Sequence, residues 1–226
     1  MRDVLDSHTH TIASGHAYST MHEMASAAAE KGLELLAITD HAMAMPGTCH
    51  EYHFMNLRIL KREMSGIEVL FGVEANIIDY DGKLDMDEYL LKRMDVVIAS
   101  MHTPCIARGT REQNTAAYIG AMKNPYVNII GHPDDSRFPV DYEKLVLAAK
   151  EHHVLLELNN NSLHPEGARE NPLPNDVVML KYCMKYQVPV ILGSDAHTQE
   201  DVGNHCFLKP LLECMNFPEE LVVNRS

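Results

Sequence analysis

Histidine is unusually frequent in this chain, and the first histidines stand at a spacing that suits a metal ion. The 226 residues include 14 histidines, and D-S-H-T-H at residues 6–10 places His8 and His10 two positions apart. Side chains two apart on a β-strand point to the same face, so this pair can offer two ring nitrogens to one cation. The alternative for any single histidine is a core or capping residue satisfied by its own hydrogen bonds.

Further polar residues follow the carboxyl ends of other apolar segments, and together they favour metal binding. Crowded imidazoles would repel one another as cations, whereas bound metal ions keep them neutral. Nitrogen and carboxylate ligands without thiolate suit zinc, manganese or iron. Nine ligands exceed the needs of one ion, which indicates two or three ions and a bridging carboxylate, most naturally Glu74. The candidate ligands are His8, His10, His16, His41, Glu74, His102, His132, Asp195 and His197.

The elements that must position these residues alternate between strands and helices. Strands are predicted at 4–10, 35–41, 68–74, 96–102, 127–132, 154–160 and 189–195, and helices near 21–31, 51–64, 112–122, 142–152 and 175–186. Thr20 and Glu23 have the spacing of a capping box, and Gly32 stands where the first helix should end. Alternating strands and helices predict an α/β fold with parallel strands. Because seven strand ends converge on one mouth only in a barrel, we expect a seven-stranded barrel.

Length, composition and charge limit the class of protein. A chain of 226 residues with 46% hydrophobic residues fits a single domain over 1–226. No apolar run approaches the ~18 residues of a membrane span, and no apolar signal core follows the N-terminus. Five cysteines without a C-x-x-C motif favour reduced thiols and a cytoplasmic protein. The net charge of −13 disfavours a broad nucleic-acid surface. A homo-oligomer is left open.

Several motifs, in order, resemble the PHP (polymerase and histidinol phosphatase) superfamily. They are D-S-H-T-H at 6–10, T-D-H at 39–41, G-V-E-A-N at 72–76, S-M-H at 100–102, G-H-P at 131–133 and G-S-D-A-H-T at 193–198. The segment A-S-G-H-A-Y-S-T at 13–20 is most similar to the small stand-alone phosphatases of that family. The resemblance implies a distorted seven-stranded (β/α)7 barrel, TIM-like, with a trinuclear site of divalent ions, zinc first and manganese or iron as alternatives.

The same resemblance implies which residues hold each ion. The first ion would take His8, His10, Glu74 and Asp195; the second Glu74, His102 and His132; the third His16, His41 and His197. The implied activity is hydrolysis of a small phosphomonoester by metal-activated water, with no side chain acting as nucleophile. Arg108 and Arg111 are candidates for phosphate binding, or are solvated loop charges. Two other functions stay open: an amidohydrolase-type enzyme acting on a carbon–nitrogen bond, and a non-catalytic metal-holding interaction module.

Overall fold

Nine strands in two sheets form the framework of the part of the chain that the computed structural model describes, residues 3–225. They are β1 Leu5–Asp6, β2 Leu35–Ile38, β3 Glu63–Met64, β4 Ile67–Phe71, β5 Val73–Asn76, β6 Val97–Ser100, β7 Ile129–Ile130, β8 Leu155–Asn159 and β9 Val190–Gly193. One sheet has the order β1-β2-β4-β3, and the other runs from β5 to β9 in chain order. All neighbours pair parallel except β3 and β4. The predicted parallel α/β organisation is confirmed.

The third predicted strand, 68–74, is divided between the two sheets at Gly72. β4 pairs with β2 before this glycine, and β5 pairs with β6 after it. A Cβ atom at Gly72 would lie 2.3 Å from the backbone oxygen of Val96 and 3.2 Å from Thr39 Cγ2. Only a residue without a side chain fits where the chain crosses from one sheet to the other.

Isolated β-bridges join the edges of the two sheets at two places, here called the two seams. Beyond β1 and β9, the amide of His10 donates to Ala196 O at 2.8 Å; beyond β2, the amide of Ala42 donates to Glu74 O at 2.9 Å. A small apolar cluster also draws on both sheets: Ala37, Val96, Ile98, Ile129 and Ile191. The predicted single closed seven-stranded barrel is not confirmed, because the described strands form two sheets linked only by single bridges at these seams.

Helices follow most strands and pack on the sheets through the main apolar core. They are α1 Met21–Glu30, α2 Glu51–Asn56, α3 Glu88–Leu91, α4 Arg111–Met122, α5 Tyr142–His152, α6 Pro172–Tyr186 and α7 Leu208–Cys214. The capping box of Thr20 and Glu23 at the start of α1 is present as predicted. The predicted helices near 112–122, 142–152 and 175–186 correspond to α4, α5 and α6.

The helix predicted over 51–64 is wrong in its second half. α2 ends at Asn56, a 3-10 turn spans Leu57–Ile59, and the chain then enters the β3–β4 hairpin. Ser65 and Gly66 join the two strands with φ angles of 53° and 83°. Two consecutive residues with positive φ form the tight turn of a two-residue β-hairpin. This turn was missed by sequence reasoning because residues 51–64 have helical periodicity.

Within residues 3–225, the structure has no helix that is both long and apolar enough to cross a membrane. The five cysteines are free thiols. The cytoplasmic location, the single domain and the absence of a nucleic-acid partner stay predictions.

Candidate metal centre

All nine predicted ligands lie together at the carboxyl ends of the strands, where the two seams also run. His8 and His10 follow β1, and their Nε2 atoms are 3.1 Å apart. Asp195 follows β9, and its Oδ1 lies 3.2 Å from His10 Nε2. The ring of His16 stacks 4.9 Å from that of His41 and is the most exposed of the set. Residues from both ends of the chain therefore meet in one cluster.

Glu74, on β5, lies at the centre and presents its two oxygens to different histidines. Its Oε1 is 2.9 Å from His132 Nε2 and 3.3 Å from His102 Nε2. Its Oε2 is 3.4 Å from His8 Nε2 and 3.5 Å from His10 Nε2. A carboxylate with histidine nitrogens near each of its oxygens can bridge two cations, one on each oxygen.

Two histidines that follow β1 have their Nδ1 atoms occupied by outer partners. His8 Nδ1 contacts Glu157 Oε1 at 2.7 Å. His10 Nδ1 contacts Ser14 Oγ at 3.0 Å, and that hydroxyl donates its hydrogen to Asp40 Oδ1 at 2.7 Å. Since the hydroxyl can then only accept from the ring, His10 Nδ1 carries the proton. In both rings Nε2 is the atom available to a cation.

The same arrangement recurs at two more ligands. His102 Nδ1 donates to Asn76 Oδ1 at 2.8 Å, because the amide nitrogen of Asn76 already donates to Asp85 at 2.6 Å. His197 Nδ1 donates to the backbone oxygen of Asp195 at 2.9 Å. Metal-binding histidines are commonly fixed in this way by a second hydrogen bond that sets the tautomer and the ring orientation.

Burial and charge make the cluster attractive to positive ions. Burial would raise the pKa of Glu74 and Asp195, but the imidazoles of His102 and His8 lower that of Glu74, and His8 with Arg169 lowers that of Asp195, both well below the usual range. Burial would lower the pKa of His8, yet the carboxylates of Glu157, Glu74 and Asp195 raise it well above its usual value. Burial and two neighbouring imidazoles keep the pKa of His10 well below its usual value. Ionised carboxylates are thus held in a buried pocket that favours a cation.

The donor set fits divalent metal ions. Three groups have ligand atoms that all lie within 4.8 Å of one another: His10, His41 and His197; His8, His10 and Glu74; His41, Glu74 and His102. Two buried atoms, Glu74 Oε2 and His41 Nδ1, lie 2.7 Å apart, yet neither has a hydrogen-bond partner of suitable geometry. Bound cations would satisfy both atoms, whereas a neutral polar core rarely leaves such buried atoms unpaired.

A cavity of about 300 Å³ opens beside the cluster. Besides six of the candidate ligands, Arg137 and Arg169 line it. Arg108 and Arg111 do not: Arg108 is exposed and lies 3.7 Å from Glu170, and Arg111 is exposed at the first residue of α4. Arg137 and Arg169, and not Arg108 or Arg111, therefore line this cavity, while the phosphate-binding role of Arg108 and Arg111 stays a prediction.

Arg169 and Glu157 were missed by sequence reasoning. The guanidinium of Arg169 donates to Asp195 Oδ2 at 2.9 Å and to Asn159 Oδ1 at 3.2 Å. The second oxygen of Glu157 accepts from the amide of His132 at 2.7 Å. Glu157 had a signal, since a glutamate between leucines in a buried strand needs a partner. Arg169 lies in a segment without regular secondary structure, and the sequence of that segment gave no signal of its contacts.

Two ligand residues have unusual backbone conformations. His132 has a φ of 31° and Asp195 a φ of 55°, in the left-handed region that residues with a Cβ rarely occupy. Such conformations are found mainly where the surrounding structure enforces them, often at functional sites. At His132, the backbone amide donates a hydrogen bond of 2.7 Å to Glu157, and this bond stabilises the unusual conformation.

Comparison with known proteins gives one family. The model of the PHP domain matches residues 6–164. A "Probable phosphatase" of Acetivibrio thermocellus is 48% identical over 227 residues, which cover 100% of this chain and 92% of the relative. Another, of Caldicellulosiruptor bescii, is 47% identical over 223 residues, 98% of this chain and 91% of the relative.

The same fold occurs in solved structures. Histidinol phosphate phosphatase from Lactococcus lactis subsp. lactis, complexed with Zn, L-histidinol and phosphate, aligns with a TM-score of 0.65 and 17% identity. The alignment covers 96% of this chain and 95% of that one. At this level of identity the likeness concerns the fold. On the PHP match and the relatives together, this chain belongs to the PHP domain family.

Proposed function

We propose that this chain is a metal-dependent phosphatase that releases phosphate from small phosphomonoesters at a site of three divalent ions. The position of Glu74 carries the proposal: its Oε1 faces two histidines at 2.9–3.3 Å, and its Oε2 faces three others, His8, His10 and His41, at 2.7–3.5 Å. That geometry suits a carboxylate bridge between two cations. Family membership and the phosphatase relatives support the metal-dependent phosphoesterase activity; the number of ions and the size of the substrate are our inference.

The nine clustered side chains would hold the ions in the three groups that the family resemblance implies. When bound, such ions polarise phosphoryl oxygens and lower the pKa of a bound water to about 7. Zinc is the first expectation, since the Lactococcus lactis structure is a complex with Zn. Manganese and iron accept the same nitrogen and carboxylate ligands.

The two cavity arginines are placed to bind the phosphoryl group. Arg169 is fixed by Asp195 at 2.9 Å, and Arg137 by Asp135, whose Oδ2 accepts from Arg137 Nε at 2.7 Å. A guanidinium held in this way needs no reorganisation to donate to phosphoryl oxygens. The cavity of about 300 Å³ admits a phosphate with a small alcohol group, which favours small substrates.

No cysteine near the site is suited to act as the nucleophile. Burial raises the pKa of Cys49 to about 11 and that of Cys105 to about 12. Both therefore remain protonated thiols at neutral pH, and the thiolate is the reactive form. This agrees with attack by water and not by a protein side chain.

Phosphate release from an aryl phosphate, measured beside a panel of carbamates and amides, tests this function. We expect turnover of the phosphate ester only, and loss of that turnover in His102→Ala. Turnover of carbamates or amides alone would favour the amidohydrolase-type alternative. A metal-loaded protein that turns over none of these compounds would favour the non-catalytic module.

A further inference from the structure

A second, smaller cavity adjoins the candidate metal centre. It has a volume of about 100 Å³ and shares Asn161, Asp195 and His197 with the larger one. Its other lining residues are Asn160, His164, Ser194, Asp201 and Asn204. None of the eight is apolar, so the cavity suits a polar group and not a hydrocarbon or an aromatic ring.

Two asparagines leave hydrogen-bond donors free at this cavity. Asn160 is buried, and its Oδ1 accepts from the amide of Phe207 at 3.0 Å. The Oδ1 of Asn204 accepts from the amide of Cys206 at 3.2 Å. Since the oxygens are engaged, the orientation of both amides is fixed, and each Nδ2 keeps its hydrogens without a partner among residues 3–225.

The cavity offers one more donor and an acceptor. His164 Nδ1 accepts from the amide of Glu166 at 3.2 Å, so its Nε2 carries the hydrogen. Asp201 has a 3.4 Å contact from the Thr198 hydroxyl to its Oδ2, and its Oδ1 is free in the described structure. Donors beside a free carboxylate oxygen match hydroxyl groups, which both donate and accept.

Charge separates the roles of the two cavities. The larger one contains both arginines, Arg137 and Arg169, which balance the charges of its acidic residues Glu166 and Asp195. The smaller one shares Asp195 with it and adds Asp201, and none of its eight lining residues, all within 3–225, is a lysine or arginine. A phosphoryl group is therefore favoured in the larger cavity and disfavoured in the smaller one, which suits the neutral part of a substrate.

We infer that the smaller cavity binds the alcohol part of the substrate, and that this alcohol carries several hydroxyl groups, as in a polyol or sugar phosphate. The inference rests on the proposed phosphatase function. The volume of about 100 Å³ is several times that needed for one water molecule, so it accommodates a fragment of the size of glycerol. Displacing ordered water there requires groups that reproduce its hydrogen bonds, which hydroxyls do.

The test compares glycerol phosphate with phenyl phosphate as substrates of the metal-loaded protein and of two variants. For the wild type, we expect a higher kcat/KM with glycerol phosphate. Asn204→Leu and Asp201→Ala should each lower the ratio of the two kcat/KM values, glycerol phosphate over phenyl phosphate, by at least about 10-fold, since each removes hydroxyl partners. Asn56→Leu, on α2 and outside both cavities, is the matched control and should keep the wild-type ratio.

The outcomes separate this inference from the function on which it rests. Phosphate release from phenyl phosphate with no preference for glycerol phosphate, and an unchanged ratio in both variants, would overturn the polyol inference and leave the phosphatase intact. Release from neither ester would overturn both. A ratio that falls in Asn56→Leu as much as in Asn204→Leu would also contradict the assignment of the smaller cavity.

Discussion

Glu157 accepts a hydrogen bond from His8 Nδ1 at 2.7 Å through one oxygen, and its other oxygen holds the backbone of His132 at 2.7 Å. One buried carboxylate thus fixes two ligands that the family resemblance assigns to different ions. It also fits only because residue 193 is a glycine: a Cβ there would lie 2.1 Å from Glu157 Oε1. Glu157 therefore positions one proposed ligand of the first ion and one of the second, although it does not belong to the proposed ligand set itself.

Replacing Glu157 with Gln should weaken metal binding while keeping the fold. Glutamine offers one acceptor where the carboxylate offers two, so either His8 or His132 loses its partner. We expect the affinity for zinc to fall by about 10–100-fold, the usual effect of losing an outer partner of a metal ligand. Calorimetric zinc titration measures this, with the exposed Glu151→Gln on α5 as control. Wild-type affinity in Glu157→Gln would show that the contact has no such role.

Replacing Glu74 with Gln should affect two ions at once. The change keeps the shape but removes the charge that faces both groups of histidines. We expect activity to fall by at least about 100-fold and the protein to lose more than about one metal equivalent. In His41→Ala we expect the loss of a single equivalent. Elemental analysis of both variants makes the comparison, and full metal content with near wild-type activity in Glu74→Gln would rule out the bridge.

The arginines can be separated by paired substitutions. Arg169→Ala and Arg137→Ala should each lower kcat/KM for a phosphate ester by about 10-fold or more, because a charge-assisted hydrogen bond to the phosphoryl group is lost. Arg108→Ala and Arg111→Ala remove exposed charges outside the cavity and should change it by less than about 2-fold. A larger effect in the second pair would support the sequence-based prediction for Arg108 and Arg111 and contradict the proposed role of the cavity arginines.

The need for a glycine at position 72, where the chain crosses between the sheets, can be tested by measuring the free energy of unfolding. Gly72→Ala places a methyl group 2.3 Å from Val96 O and should lower the free energy of unfolding by about 1–3 kcal/mol or more. Gly32→Ala is the comparison, because a Cβ there meets nothing within 4 Å and only its φ of 78° is unfavourable. Denaturant unfolding of both should show the larger loss at Gly72; the reverse order would contradict the steric argument.

The clustering of the candidate ligands agrees with the sequence more closely than the arrangement of the strands that carry them. Glu74 and His132 end the predicted apolar strands 68–74 and 127–132, so their common location follows from the pattern of apolar runs. The division of the third strand depends on contacts between Gly72 and Val96, which are far apart in the chain. No local pattern reports such a contact.

Outer partners of the ligands were predictable only in part. Glu157 interrupts a buried apolar strand and needs a partner, which is a recognisable signal. Arg169 reaches Asp195 from a segment without periodicity, and Arg108 is the same residue type in an equally irregular segment. The path of the loop decides which arginine faces the cavity. That path cannot be predicted from residue type alone.

The central claim is tested most directly by adding zinc stepwise to chelator-stripped protein while phosphate release from an aryl phosphate is recorded. The account predicts no release without metal, and activity that rises until about three equivalents have been added, the number that nine ligands can hold. Full activity in the stripped protein, or saturation at one equivalent, would contradict it.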